Sequence, residues 1–232
     1  MPPEAPPPRP PGHTGHRQRL KQRFLEGGAD ALPDYELLEL ILFLGIPQKD
    51  TKPLAKALLA EFKTFADVVS ADPARLRKVT GVTPGAVTAL KTVAAAAHRL
   101  KFGQIRKQDV LSSLEQVVDY CVSRMGFEGK EQFRVLLLDR KNALVHDHEV
   151  ARGTVDHVPV YVREVLSLAL ERNASALILV HNHPSGDPTP SAADITMTRE
   201  IRDAAQKLGI TVHDHLVIGR GRHVSFRAQG LL

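Results

Sequence analysis

The chain holds a single cysteine, Cys121, in 232 residues, which excludes an internal disulfide framework and any zinc site built on several thiolates. No apolar run approaches the roughly 20 residues that a membrane-spanning helix needs, and no signal-peptide pattern opens the chain. A cytoplasmic protein without membrane attachment is expected. A glycine-rich phosphate loop is missing as well, because Gly219-Arg220-Gly221 follows an apolar segment but opens no helix and reads as a hairpin turn. Cys121 itself stands near Val117, Val118 and Val122 on a helical pattern, where a buried thiol is favoured over a nucleophile.

What is present is unevenly distributed. Residues 1–107 carry 17 Lys and Arg against 10 Asp and Glu, a net +7, whereas residues 108–232 carry 14 against 16, a net −2. The basic half suits either a polyanionic partner or a solvated cationic face. The length is sufficient for two domains. Residues 1–12 are too rich in proline to build a core and are expected as a disordered tail. Residues 13–100 read as a small all-α domain: a helix carrying Arg17, Arg19, Lys21 and Arg23, then apolar residues at helical spacing over 35–44, 53–62 and 65–70. His13 and His16 are expected as solvated or helix-start residues. Polar, basic residues 101–108 are expected as a linker to a second domain at 109–232.

The chemistry concentrates in that second domain. Ala176-Leu177-Ile178-Leu179-Val180 is wholly apolar, as in a central strand covered on both faces, and it ends at His181. Side chains two apart on extended backbone share a face, so His181 and His183 can address one ion while Asn182 points away. Pro184, Gly186, Pro188 and Pro190 then force a turn. Ser191 starts a helix, with Asp194 three residues on and Ile195, Met197, Ile201 and Ala204 behind it. Two imidazoles and a carboxylate make a three-ligand set for zinc with a fourth position left for water. The same Ser191 and Asp194 also satisfy a capping box, which needs no metal, and the two roles are compatible. Two further pairs, His146-Asp147-His148 and His213-Asp214-His215, show that His-x-His spacing alone does not make a ligand pair. The first lies on an expected hairpin strand. The second precedes another strand, from which Asp214 and His215 can orient a ligand from behind.

His181-x-His183-Pro184 with Ser191-x-x-Asp194 resembles the JAMM motif of the JAB/MPN metallohydrolases. The longer run from His181 to Asp194, together with Gly153-Thr154-Val155-Asp156, Arg163-Glu164-Val165 and Asp214-His215, is similar to the RadC group over nearly the whole chain. The resemblance implies a cytidine-deaminase-like JAB/MPN fold. It also implies a glutamate at the start of the first strand after the domain's first helix, acting on the attacking water. With a helix expected at 114–125 and a strand at 133–138, the matching position is Glu131, with Glu164 the runner-up; an ordinary solvated glutamate is the bland alternative. In that family the serine matching Ser191 helps to hold the oxyanion. The periodicity alone supports a mixed α/β sheet, with further strands at 143–150, 177–180, 210–212 and 216–218 and helices at 162–173 and 192–208.

In the helical half, residues 76–91 resemble a helix-hairpin-helix, in which backbone N–H groups hold a DNA phosphate. Gly81, Thr83, Gly85, Lys78 and Lys91 are its candidate contacts, although Thr83 stands where such hairpins carry a second glycine. A hairpin that merely joins packed helices is the alternative. Two functions follow: a zinc-dependent hydrolase of amide or isopeptide bonds, or a sequence-independent DNA-binding protein or metal-dependent nuclease of recombination, repair or DNA uptake. The resemblance carries a DNA-repair association that implies neither substrate nor mechanism. Nothing in the chain bears on its oligomeric state.

Overall fold

The computed structural model describes residues 12–106, 109–153 and 160–232. Residues 1–11 of the expected tail, residues 107–108 of the expected linker and Thr154, Val155 and Asp156 lie outside the described residues. Two compact units divide between Ala94 and Ala95.

The first unit is helical: α1 (Gly12–Gly27), α2 (Asp34–Gly45), α3 (Lys52–Phe62), α4 (Phe65–Ser70), α5 (Pro73–Leu76) and α6 (Pro84–Ile105), which continues past the division. Local chemistry sets the helix starts. Thr64 Oγ1 accepts the Asp67 N–H at 3.0 Å, Asp72 Oδ1 accepts the Ala74 N–H at 2.7 Å, and Pro53, Pro73 and Pro84 occupy first-turn positions. Leu38, Leu42, Leu58, Leu76 and Leu90 are fully buried at the centre. Helix α1 is fastened by Leu20 beside Leu32 and Phe43, and by Arg17, which donates to the carbonyls of Ile46 and Lys49. His16, near the start of α1 and partly exposed, places its Nε2 3.0 Å from the Glu39 carboxylate, which is fully buried and requires a partner.

The expected linker is also corrected over its first five residues, which continue α6. Phe102 sets its ring 5.8 Å from that of Tyr120, and Ile105 is buried beside Val110, so residues that look polar in sum bury one apolar stripe.

The second unit holds α7 (Leu114–Met125), β1 (Gln132–Leu138), β2 (Leu144–Arg152), α8 (Val162–Glu171), β3 (Ala176–Asn182), α9 (Ala192–Lys207), β4 (Thr211–Ile218) and β5 (His223–Ser225). The described strands form one sheet in the order β2-β1-β3-β4-β5, antiparallel throughout except for the parallel β3–β4 pair. Every residue of β1 and β3 is buried, because both sheet faces are covered. One face packs Leu136, Leu138, Ile178, Val180 and Leu216 with Val117, Val118 and Cys121 of α7. The other packs Val135, Leu137, Leu177 and Leu179 with Val165 of α8 and Ile201 of α9.

Residues 210–212 and 216–218, expected as separate strands, are joined. Strand β4 runs unbroken from Thr211 to Ile218, but its pairing with β3 steps from Leu177↔Val212 to Ile178↔Asp214, a bulge that takes up His213. The bulge resets the alternation of faces, so His215 joins Val212 on the α8/α9 side while Asp214 turns to the α7 side. Among the described residues no helix is long and apolar enough to cross a membrane.

Candidate metal centre

The centre forms where β3 stops. His181 is 1% exposed at the strand end, and His183 stays extended one residue further because its N–H donates to the Ile218 carbonyl at 2.9 Å. The alternation of the strand places both imidazoles on the α8/α9 face. A tight turn follows: the Gly186 N–H bonds the His183 carbonyl at 2.9 Å with Gly186 at φ +89°, a conformation that favours glycine. Gly219 presses on this turn so closely that a Cβ there would lie 2.3 Å from the Gly186 oxygen.

Helix α9 then supplies the third group. Ser191 Oγ accepts the Asp194 N–H at 3.1 Å while the Asp194 carboxylate accepts the Ser191 N–H at 2.7 Å, a complete capping box. The carboxylate serves a second purpose from the same position. His181 Nε2 lies 3.0 Å from His183 Nε2 and 3.4 Å from Asp194 Oδ1, and His183 Nε2 lies 3.7 Å from Asp194 Oδ2. These ligand atoms all fall within 4.8 Å of one another, the spacing of groups that can share one metal ion.

Hydrogen bonds on the far side of each ring decide what its near side presents. His183 Nδ1 is 2.8 Å from the Asp187 carbonyl, which only accepts, so a proton sits on Nδ1 and, in the neutral ring, Nε2 is left bare. His181 Nδ1 is 2.7 Å from His215 Nε2, and His215 Nδ1 is 2.6 Å from Thr198 Oγ1, whose hydroxyl donates to the Asp194 carbonyl at 2.6 Å. With that hydroxyl proton directed at Asp194, His215 must donate from Nδ1 to Thr198 and accept at Nε2 from His181. His181 Nε2 is then bare as well. The chain Thr198–His215–His181 thus sets a tautomer.

Burial, and secondarily the neighbouring His181, pushes His215 well below the ordinary imidazole range, which keeps it neutral in this relay. Its ring is enclosed by Phe226 at 4.5 Å and Phe133 at 5.7 Å between centroids. Burial opposes ionisation of Asp194, but its contacts with His181 and His183 outweigh it and hold the carboxyl far below its usual range. The contact with Asp194 raises His183.

Glu131 immediately precedes β1. Two residues on, Phe133 pairs with His181 across the antiparallel ladder, so the chain at Glu131 passes close to the end of β3. Its charge is near enough to contribute to the raised pKa of His183. Ser191 Oγ lies 2.6 Å from Asp194 Oδ2, at the rim of the cluster. Glu164 is exposed in the first turn of α8. His146 and His148 stack on each other at 5.8 Å on β2, and His213 Nε2 bonds Asn142 Oδ1 at 2.9 Å, so neither pair joins the cluster apart from His215. Asp214 makes no hydrogen bond to His181: the bulge turns its carboxylate to the other face, where it accepts from Ser225 Oγ, from the Arg227 N–H at 3.0 Å and from the N–H of His215 itself at 2.7 Å. Sequence reasoning misses Thr198, although its spacing four residues after Asp194 on one helix face is a signal that could find it. For Asn182 the same reasoning yields only that it points away.

The helical hairpin has a different character. Gly81 adopts φ +92°, Lys78 is exposed, and Thr83 accepts the Ala86 N–H at 3.1 Å as the cap of α6. Gly85 packs against Gly45 so tightly that a Cβ on it would sit 2.6 Å from the Gly45 oxygen. Lys91 donates to the carbonyls of Val69, Ser70 and Ala71 at 3.0–3.2 Å, closing the C-terminal end of α4. Expected as phosphate contacts, Thr83, Gly85 and Lys91 thus serve helix capping and helix crossing, because a buried helix end must satisfy its own polar groups.

Comparison with known proteins matches two stretches of the chain. Residues 111–231 match the RadC-like JAB domain, and residues 13–88 match the UPF0758 N-terminal domain. A UPF0758 protein of Rhodobacter capsulatus is 62% identical over 92% of this chain and 100% of its own length. Another, from Ruegeria pomeroyi, is 57% identical over 94% of this chain and 97% of its own.

Proposed function

The chain belongs to the RadC family of JAB-domain proteins, as a UPF0758 member, and from that premise we propose that it is a zinc-dependent hydrolase of amide or isopeptide bonds. One observation carries the reading: the Nδ1 atom of each imidazole is engaged on the far side, by His215 and by the Asp187 carbonyl, so in the neutral rings two Nε2 lone pairs 3.0 Å apart face the Asp194 carboxylate. Such a set is repulsive without a cation, and two nitrogens with one oxygen suit zinc while leaving room for water. Access is one-sided. The His181 side chain is 2% exposed, whereas those of His183 and Asp194 are 19% and 13% exposed, so solvent and substrate reach the cluster from the turn and α9 side.

His181, His183 and Asp194 would hold the ion. When bound, zinc supplies Lewis acidity toward a carbonyl and lowers the pKa of water. The residues of the chain do the rest: Glu131 would take the proton of the attacking water and return it to the leaving amine, while the Ser191 hydroxyl, which donates to Asp194 Oδ2 at 2.6 Å here, would turn its proton to the developing oxyanion. Thr198 and His215 keep His181 in its ligating tautomer throughout.

Metal analysis of the purified chain, followed by challenge with peptides, isopeptide-linked peptides and single- and double-stranded DNA, tests this. The expected result is one zinc per chain and zinc-dependent cleavage of an amide. Absence of bound zinc would overturn the reading; zinc-dependent cleavage of DNA alone would replace the amide with a phosphodiester.

A further inference from the structure

Asn182 stands between the two histidines on β3 and is 1% exposed, yet its side chain belongs to neither of them. Strand alternation sends it to the opposite face, where the segment from α7 to β1 passes. There its Oδ1 accepts the Gln132 N–H at 2.9 Å, and its Nδ2 donates to the Lys130 carbonyl at 3.2 Å and, at the limit of reach, to the Glu128 carbonyl at 3.5 Å. The residue enclosed by these contacts is Glu131. Its own carbonyl is tied by the Gly153 N–H at 3.0 Å.

We propose that Asn182 is the positioning residue for Glu131, an inference that rests on the hydrolase reading above and names how its proton-transfer group is held. The segment 126–131 belongs to no helix or strand, so nothing in regular secondary structure places the Glu131 carboxylate. Asn182 gives it a reference within the ligand strand itself. Because His181, Asn182 and His183 are consecutive, any movement of the end of β3 carries the ligands and the Glu131 backbone together. Only a side-chain amide meets these needs, since it presents an acceptor to the Gln132 N–H and donors to carbonyls from one short, planar group. Aspartate keeps the acceptor but sets a second oxygen against those carbonyls, and serine cannot span the distance.

The test uses the full chain with its carboxyl groups labelled with carbon-13, the Glu131 signal assigned by its loss in Glu131→Gln. Wild type, Asn182→Asp and Asn182→Ser are titrated with zinc, with zinc content and amide hydrogen exchange measured on each. In the wild type the Glu131 carboxylate signal shifts when zinc binds. In the variants zinc content stays at the wild-type value, the Gln132 amide exchanges faster, and the Glu131 response shrinks or vanishes; zinc-dependent turnover falls roughly 10–100-fold, as for other groups that orient a metal site from outside it. Adding either variant to Glu131→Gln then costs nothing further, because the effect passes through Glu131.

Asn182→Ser guards against an Asn182→Asp chain that fails to fold around a buried charge. A wild-type Glu131 response in a folded variant with wild-type exchange at Gln132 would overturn the proposal. A wild-type chain that binds no zinc would instead overturn the hydrolase reading, and the exchange measurement alone would then decide whether Asn182 holds this segment.

Discussion

Two polar clusters are built into the same sheet, and they balance their charges in opposite ways. On the α7 face, Arg134, with a side chain 6% exposed, bonds Asp147 at 2.8 Å and Glu149 at 3.0 Å, and the Tyr120 hydroxyl donates to Asp147. Burial, with Asp147 beside it, pushes the Tyr120 hydroxyl far above its ordinary range, so it remains a donor. Donors and acceptors match, and this cluster is closed. On the α8/α9 face, His181, His183 and Asp194 bring acceptor atoms together, while the available donors are turned outward to Asp187, His215 and Thr198. The difference teaches that a binding site is recognised by what its polar atoms lack within the chain. Motif spacing and burial alone do not distinguish the two clusters.

The sharpest test of this contrast separates binding from turnover in the open cluster. His181→Ala and Asp194→Ala are expected to abolish zinc uptake, while Glu131→Gln keeps one zinc and loses about 10²–10⁴-fold in turnover. Metal analysis beside kinetics reads both, and a fully active Glu131→Gln would remove the assigned base. Next in size is the closed cluster: Arg134→Met leaves Asp147 buried without its cation and should destabilise the fold by about 3–5 kcal/mol in denaturant titration, with zinc content unchanged in the folded fraction. Loss of zinc at wild-type stability would erase the distinction between the faces.

Smaller effects probe the supports. His215→Ala and Thr198→Val release the His181 tautomer and should weaken zinc binding roughly 10–100-fold, measured by competition with a chelator. Zinc affinity equal to wild type in both would show that the relay does not orient the ligand. The smallest change expected is at the hairpin of the helical unit. Thr83→Ala removes the cap of α6 and should cost about 1 kcal/mol of stability without altering retention of DNA at low salt. A selective loss of DNA retention at unchanged stability would reassign that hairpin from packing to phosphate binding.

Much of the second unit is legible in sequence because its signals are local. The apolar run of β3, the turn built on Pro184 and Gly186, and the reciprocal cap of Ser191 and Asp194 each depend on residues within a few positions of one another. Helix α7 occupies the expected residues 114–125 for the same reason. What the sequence hides lies where a partner distant in sequence decides. His213-Asp214-His215 looks like a polar break between strands, yet β3 pairs with Asp214 and His215 and a bulge takes up His213. Lys91 looks like a free cation on a basic domain, yet the carbonyls at the end of α4 engage it. Residues 101–105 look like a linker because their composition hides the burial of Phe102 and Ile105.

By itself, the order of residues determined which groups could be ligands and which strand and helix would carry them, since strand alternation and helix capping act over two to four residues. Only the tertiary structure decided which way those ligands hold their protons. Proton placement depends on His215 and Thr198, which reach His181 through the bulged β4 and through α9, and no rule of spacing along the chain anticipates a hydrogen bond made across a sheet.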